Sequence, residues 1–251
     1  MKDVMLAVQL YSVRDEMEKD FLGTLKKVRD MGYEGVEMYG SFPMMPEKLR
    51  DDMAAADLKL VGWHTSYAAL KPDFIEATIA YHKVSGCPTL VCPSIPRDIV
   101  PDIEGWKNAG EALKVANERL MLDGMQTGYH NHWVEFKELE GRNPWNAIVE
   151  ASGSIIAQMD TGNAMMGNGK PMEEIAKYPG RSRLVHLKPY SAADGFSTMI
   201  GKDDTDWEAL LELCVTVGGT ECFIIEYEDE KNYTQLEGIK ACREAIRAFG
   251  L

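Results

Sequence analysis

The chain has 251 residues, 45% of them apolar, so it is long enough to bury a substantial core and disorder is not expected. Its 40 acidic and 27 basic residues give a formal net charge of -13, which would repel nucleic acids and anionic membrane surfaces. No run approaches the ~20 apolar residues of a transmembrane helix, and the apolar run near the N-terminus is too short for a signal peptide, so we expect neither a nucleic-acid nor a membrane partner.

Short apolar runs rich in β-branched residues alternate along the chain with longer segments of helical period. The eight predicted strands are 4–10, 35–39, 58–64, 89–93, 125–131, 155–160, 183–188 and 222–227. The eight predicted helices are 21–31, 46–57, 73–86, 106–120, 143–152, 171–180, 206–218 and 233–250. Apolar residues in the helices recur three and four positions apart, as at Leu22, Leu25 and Val28, which is typical of helices packed on a sheet.

Eight strand-then-helix units in a chain of this length predict an α/β fold, a single (β/α)8 TIM barrel formed by residues 1–251. A doubly wound open sheet would show the same alternation. However, the first strand is followed by no G-x-G-x-x-G motif, and the chain has no Walker-type phosphate loop. No linker rich in Pro, Ser or Gly divides the chain, so one domain is the simpler interpretation.

The five cysteines indicate a reducing compartment. They form no C-x-x-C pair, and their odd number does not suit a disulfide framework. We therefore expect reduced, mostly buried thiols in a cytoplasmic protein.

Polar residues with ligand or acid/base chemistry cluster at the predicted strand ends, where barrel enzymes of this kind build their active sites. In chain order these residues are Gln9 and Tyr11, Glu37, His64, Cys92, His130 and His132, Asp160, His186 and Lys188, and Glu226 and Glu228. A single histidine at a strand end is more often a hydrogen-bonded structural residue, and His82, inside a helix, is interpreted in that way. The joint pattern favours function, because a buried polar group costs several kcal/mol unless it is satisfied.

Four consecutive strands end on residues that can bind a metal, namely His130, Asp160, His186 and Glu226. Residues two apart share one face of a strand, and neighbouring strands lie about 4.8 Å apart, so these four side chains can converge on one ion. Two imidazoles and two carboxylates suit one divalent transition-metal ion, such as Mn, Co, Fe or Zn, better than Mg or Ca. His132, further out on the same face as His130, is predicted to contact substrate or to orient the site.

The motifs at these strand ends resemble those of the sugar phosphate isomerase/epimerase family. These xylose isomerase-like (β/α)8 barrels also include ketose 3-epimerases, inosose dehydratases and type IV endonucleases. The segments that carry the resemblance are VQLYSVRD (8–15), GYEGVEMYG (32–40), YHNHWVEF (129–136), MDTGNAMMGNGKP (159–171), YPGRSRLVHLKPY (178–190), DW (206–207) and IIEYE (224–228). The resemblance covers nearly the whole chain, but it does not name a substrate.

The resemblance implies a metal ion held by groups at the ends of the fifth to eighth strands. By this resemblance, Asp160, His186 and Glu226 are three of the metal ligands. Many family members have Glu where this chain has His130, so the first ligand is either His130 or Glu135. Near the expected substrate pocket the chain departs from the family, with Pro189 in place of Asp and Asn163 in place of an aromatic residue or His.

The resemblance further implies proton transfer at a carbon next to a carbonyl. The ion would stabilise an enediolate while Glu226 acts as the first candidate base and Lys188 holds or protonates an oxygen. His64 or His132 would be the second acid/base. The remaining predicted contacts to a small-molecule sugar substrate are Gln9, Tyr11, Glu37, Glu135 and Asn163.

Several functions remain open at this point. An isomerase or epimerase is favoured, and a dehydratase or lyase acting on a keto-sugar or keto-glycoside is close behind because it shares the same enediolate. Cleavage of abasic DNA is disfavoured by the acidic composition. A sugar-binding barrel without catalysis is the non-enzymatic alternative. A homo-oligomer is plausible for this family.

Overall fold

Eight parallel strands close into a barrel in the computed structural model of the chain, which describes residues 4–229 and 231–251. The strands are β1 (Met5–Gln9), β2 (Gly35–Tyr39), β3 (Lys59–His64), β4 (Thr89–Cys92), β5 (Gln126–His130), β6 (Ile156–Asp160), β7 (Leu184–Leu187) and β8 (Cys222–Ile225). Each pairs with its neighbours in sequence order, and β1 pairs with β8, so the sheet has no free edge. This confirms the predicted (β/α)8 TIM barrel of α/β class.

Ten α-helices lie in the described part of the chain. They are α1 (Arg14–Lys19), α2 (Phe21–Asp30), α3 (Pro46–Ala55), α4 (Ile75–Ser85), α5 (Ile103–Met121), α6 (Pro144–Ala151), α7 (Thr161–Met166), α8 (Pro171–Lys177), α9 (Trp207–Leu213) and α10 (Gln235–Ile246). Eight of them correspond to the predicted helices, with ends that differ by a few residues. None of the helices in these residues is both long and apolar enough to cross a membrane.

The two helices that the sequence pattern did not predict are α1 and α7. Each has only six residues, so neither can show a repeating apolar stripe. In α1 the one buried side chain is that of Met17. The first turn of α7 is stabilised by the carboxylate of Asp160, which accepts a hydrogen bond from the backbone N–H of Asn163.

Alternation along the strands divides the buried side chains into two sets. One set faces the helices and forms the main core, with large residues such as Trp63, Tyr129 and Phe223. The other set fills the lower barrel interior, and we call it the apolar plug. It consists of Ala7, Val61, Val91, Ile156, Leu184, Cys222 and Ile224. Further along the same strands, inward positions carry polar residues, so the apolar plug forms the floor beneath them.

A β-bulge in β3 interrupts this alternation. Val36 pairs with Leu60, but Glu37 pairs with Gly62, so Val61 is an extra residue in the ladder. Val61 and Gly62 therefore both face inward, and His64 does so as well. A Cβ atom on Gly62 would lie 2.6 Å from Oε1 of Glu37, so glycine is needed at this close approach.

His82, on α4, is a buried histidine in an aromatic environment. Its ring centroid lies 4.9 Å from that of Trp63 and 5.3 Å from that of Tyr81. Among the described residues neither ring nitrogen has a hydrogen-bond partner. Burial lowers the pKa of His82 from 6.5 to about 4, because the apolar surroundings disfavour its charged form.

We predict that His82→Leu will make stability less dependent on pH. In the parent the folded state binds the His82 proton less readily than the unfolded state, so stability is full above about pH 6.5 and falls as the pH drops to about 4. The loss attributable to His82 is up to about 3 kcal/mol. Urea unfolding at a series of pH values measures it. Ile79→Val on the same helix is the control, because it should lower stability equally at every pH. Parallel curves for the parent and His82→Leu would contradict the prediction.

Candidate active site

A layer of polar side chains lies on the apolar plug at the C-terminal end of the barrel, and we call it the polar layer. Its members are Gln9, Glu37, His64, His130, Gln158, Asp160, His186, Lys188 and Glu226. All of them follow the inward alternation of their strands, and all except the partly buried His64 are buried. So many polar groups removed from water must satisfy one another or bind a ligand.

Four members of the polar layer converge on one point. His130, Asp160, His186 and Glu226 each offer one nitrogen or oxygen atom, and these four atoms all lie within 4.8 Å of one another. Nε2 of His130 lies 3.9 Å from Oδ2 of Asp160, and Nδ1 of His186 lies 2.5 Å from Oε2 of Glu226. These are the four residues that the strand-end pattern selected. His64, His130 and His186 form a second, overlapping group of the same kind.

This donor set fits a divalent transition-metal ion. Imidazole nitrogen and carboxylate oxygen are both ligands for Zn, Mn, Fe and Co, whereas Mg and Ca are usually held by oxygen alone. All four side chains are buried, so water does not compete with an ion for them. The residues present are therefore chemically suited to the ion that the sequence predicted.

Asp160 is held rigidly by two asparagines. Asn131 accepts a hydrogen bond from the Asp160 backbone N–H and donates one to its carbonyl oxygen. Asn163 donates to the carboxylate with its backbone N–H at 2.7 Å and with its side-chain amide at 3.0 Å. Asn163, predicted to contact substrate, thus orients Asp160. Burial raises the pKa of Asp160, and the charge on Lys188 only partly opposes this.

Lys188 lies beside the group of four and forms two ion pairs. Its ammonium lies 3.0 Å from Oε1 of Glu226 and 2.8 Å from Oε1 of Glu228. Burial alone would lower the pKa of Lys188, but Glu226, Asp160 and Glu228 raise it, so the amine is charged. Burial and the neighbouring Glu226 raise the pKa of Glu228 to about 7. The predicted catalytic pair Glu226 and Lys188 is thus in direct contact.

Glu37 and Gln9, predicted as sugar contacts, are buried within the polar layer. Glu37 is fully buried, and its carboxylate is contacted by Gln9, His64, Gln158 and His186. Gln9 also accepts a hydrogen bond from the backbone N–H of Tyr11. Burial opposes ionisation of Glu37, but the charges of His64 and His186 and their hydrogen bonds hold its pKa well below the usual range. Both residues are buried and hydrogen-bonded to other members of the polar layer.

Glu135 was predicted as a substrate contact and as the alternative first metal ligand, but its carboxylate lies outside the group of four. Its Oε1 accepts a hydrogen bond from the Tyr129 hydroxyl at 2.7 Å, and its Oε2 accepts one from the His132 backbone N–H at 2.8 Å. Tyr129 belongs to the core that faces the helices, so this carboxylate fastens the loop after β5 to the outside of the barrel wall. Glu135 is not part of the group of four around the possible ion position.

The other predicted residues lie at the rim of the site. The His132 ring centroid is 5.1 Å from that of His130, and His64 lies 4.6 Å from His130 on the other side. Tyr11 is 40% exposed and packs edge-on against Tyr39. His64 and His132 are partly buried and Tyr11 is exposed, so all three can be reached from solvent.

Gln158 is the member of the polar layer that sequence reasoning missed. It is fully buried, and its amide contacts His64, His130 and Glu37. The available signal was a glutamine inside the apolar run IIAQMD, two residues before Asp160 and therefore on the same inward face.

Comparison with known proteins places this barrel in a family. The family model described as xylose isomerase-like TIM barrel matches residues 25–249, so the chain belongs to that family. This confirms the family resemblance inferred from the strand-end motifs. The inosose dehydratase of Clostridium perfringens is 21% identical over 192 residues, which span 68% of this chain and 64% of that protein.

Two solved structures show the same architecture. A sugar phosphate isomerase/epimerase from Parabacteroides distasonis superposes with a TM-score of 0.87 at 22% identity, covering 99% of this chain and 95% of that one. An L-ribulose 3-epimerase superposes with a TM-score of 0.72 at 15% identity, covering 98% and 94% of the two chains. At these identities the likeness establishes the fold and leaves the substrate open.

We predict that Glu135→Gln will retain metal binding and that His130→Asn will weaken it at least about tenfold. A glutamine at 135 can still accept from the His132 N–H and donate to the Tyr129 hydroxyl, so the loop stays in place. Asparagine is too short to replace the imidazole. Competition for Zn²⁺ against a coloured chelator measures both affinities. Weaker binding in Glu135→Gln with unchanged binding in His130→Asn would reverse this assignment.

Proposed function

We propose that the protein is a divalent-metal-dependent isomerase or epimerase acting on a keto-sugar or a sugar derivative. The observation that carries this proposal is the buried group of His130, Asp160, His186 and Glu226, bordered by Lys188. Membership of the xylose isomerase-like TIM barrel family supports it.

Each ligand of the proposed ion comes from a different strand end. His130 and His186 would bind through ring nitrogens, and Asp160 and Glu226 through carboxylate oxygens. When bound, the ion would supply a Lewis acid for a substrate carbonyl oxygen. The low exposure of the surrounding polar layer keeps water from competing with the substrate.

The proton transfer is assigned to groups at the edge of this centre. Burial alone would raise the pKa of Glu226, but Lys188, Glu228 and His186 hold it well below the usual range, so its carboxylate is ionised and can take the proton next to the carbonyl. The Lys188 ammonium would donate a hydrogen bond to the oxygen that becomes negative. His64 or His132, at the rim, would return the proton.

The destination of the proton decides the reaction. Return to the neighbouring carbon gives isomerisation, and return to the opposite face of the same carbon gives epimerisation. If a hydroxyl group on the next carbon departs instead, taking a proton from Lys188, the result is dehydration. The likeness to inosose dehydratase favours this as the second candidate.

Compartment and assembly remain proposals. The five cysteines are all buried and free, which supports a reducing environment such as the cytoplasm. A homo-oligomer remains an expectation from the family.

We predict about one transition-metal ion per chain in the parent and little in Asp160→Asn or Asp160→Ala. Asparagine removes the charge but retains an oxygen that can cap α7, so its result separates ligand loss from helix damage. Asp102→Ala is the control, because Asp102 caps α5 at Gly105 and lies outside the group of four. Elemental analysis after incubation with Mn²⁺ or Zn²⁺ measures the stoichiometry. A full complement of ion in both Asp160 variants would refute the site, and no ion in the parent would favour a binding protein without catalysis.

We predict that Lys188→Met will keep the ion and lose turnover by at least about a hundredfold, as expected when a group that assists proton transfer is removed. Exchange of substrate carbon-bound hydrogen in heavy water, screened over keto-sugars, measures proton abstraction. Product analysis separates the two candidates, because dehydration yields a conjugated carbonyl with ultraviolet absorbance. Unchanged exchange would remove Lys188 from the catalytic groups. Loss of the ion together with activity would assign it a structural role.

A further inference from the structure

We propose that Glu37 and Gln158 are positioning residues that fix which ring nitrogen of His130 and of His186 is available to an ion. In the metal-free protein the Nε2 lone pair of His130 faces the group of four, while Nδ1 of His186 donates to Glu226 and is the nitrogen that would exchange this hydrogen for the ion. The inference builds on the proposed ion site, but the tautomer of His130 can be tested without any ion.

The direction of this chain of hydrogen bonds is set by the backbone N–H of Tyr11, which can only donate. It donates to Oε1 of Gln9 at 3.2 Å, so the Gln9 side-chain oxygen must face Tyr11. The Gln9 amide nitrogen therefore faces the other way and donates to Oε2 of Glu37 at 2.8 Å. This makes Glu37 an acceptor on that side.

Glu37 then orients Gln158. Four nitrogen atoms surround the Glu37 carboxylate, those of Gln9, His64 and His186 at Oε2 and that of Gln158 at Oε1. An ionised carboxylate can only accept hydrogen bonds, so each of these nitrogens must present a hydrogen to it. Gln158 must turn its NH₂ group toward Glu37, because its oxygen there would face a like partial charge. Its Oε1 consequently points toward the histidines.

Gln158 in turn sets the tautomer of His130. Oε1 of Gln158 lies 3.0 Å from Nδ1 of His130, and a side-chain amide oxygen can only accept. Nδ1 must therefore carry the hydrogen. Nε2 is left with its lone pair, 3.9 Å from Oδ2 of Asp160 and directed at the proposed ion position.

The carboxylate of Glu37 orients His186 in the opposite sense from His130, with the hydrogen on Nε2 facing Glu37. Its Nε2 lies 2.7 Å from Oε2 of Glu37 and so donates to it. Its Nδ1 lies 2.5 Å from Oε2 of Glu226, another acceptor, so in the metal-free protein this nitrogen also carries a hydrogen, which an ion bound between His186 and Glu226 would displace. His64 follows the same rule, since its Nε2 faces acceptors on both Glu37 and Gln158 and its Nδ1 remains for the substrate.

Ligand binding requires this arrangement. A metal ion binds only the unprotonated nitrogen of an imidazole, and a ring held by a hydrogen bond at its other nitrogen has no freedom to present the wrong one. Without such support, His130 could move its hydrogen to Nε2 and donate to Asp160, which would occupy two ligands with each other.

The first experiment is proton–nitrogen NMR of the metal-free protein carrying ¹⁵N-labelled histidine, near neutral pH. We expect the ring nitrogens of His130 to show a neutral ring protonated at Nδ1. After Zn²⁺ is added, we expect coordination shifts at Nε2 of His130 and at Nδ1 of His186. Assignment uses the His130→Asn spectrum, which lacks one ring.

The second experiment compares two variants. Gln158→Leu removes the acceptor, so the His130 hydrogen should move toward Nε2 and the affinity for Zn²⁺ should fall about 10- to 100-fold. Thr127→Val is the matched control. Thr127 is a fully buried residue on β5 whose hydroxyl bonds the Leu90 carbonyl outside this chain of hydrogen bonds. It should lose some stability while keeping the tautomer and the Zn²⁺ affinity.

The outcomes separate this inference from the proposed function. A parent His130 protonated at Nε2, or a Gln158→Leu protein with unchanged tautomer and Zn²⁺ affinity, would overturn it. If Gln158→Leu does not fold, the spectrum of the parent alone still decides. A parent that shows Nδ1–H at His130 but binds no Zn²⁺ would support the hydrogen-bond chain and count against the proposed ion.

Discussion

One buried carboxylate, that of Glu37, ties together the interior of the barrel. An isolated charge at this depth would be strongly unfavourable. It is tolerated because side chains from four other strands donate to it: Gln9 from β1, His64 from β3, Gln158 from β6 and His186 from β7. These donors come from both sides of the barrel, so the same contacts that satisfy Glu37 also fix the distances across the polar layer. The apolar plug beneath keeps water away from the lower side of this network.

The architecture could be predicted because its signals are local. Eight apolar runs and eight amphipathic segments mark the elements, and closure of the barrel follows from their number and from the length of the chain. The features that were not predicted have no repeating pattern of apolar residues. Helix α1 has one buried residue, α7 depends on a cap from Asp160, and the bulge at Val61 leaves no trace in the hydrophobic pattern because valine suits either face.

The site was predictable in part for a related reason. Strand alternation alone selects His130, Asp160, His186 and Glu226, and the structure brings these side chains together. Strand alternation gives the face of a side chain but not its depth, so it could not show that Glu37 and Gln9 are buried and bonded to one another. It also fails beyond the strand end, where the chain turns and carries Glu135 behind the barrel wall to Tyr129. Gln158 was not predicted, because a single uncharged side chain within an apolar run gives little sign that it differs from the buried core residues around it.

The bulge in β3 decides which side chains at the end of that strand face the candidate site. Because Val61 is an additional residue, Gly62 lies against Glu37 and His64 shares the inward face. If the same residues paired without the bulge, with Val61 opposite Glu37, Trp63 would face inward and the imidazole of His64 would turn toward the helices, although every polar side chain of the site would still be encoded. The presence of His64 in the candidate site thus depends on the backbone of β3 as well as on its own side chain, which inspection of the ligand residues alone would not reveal.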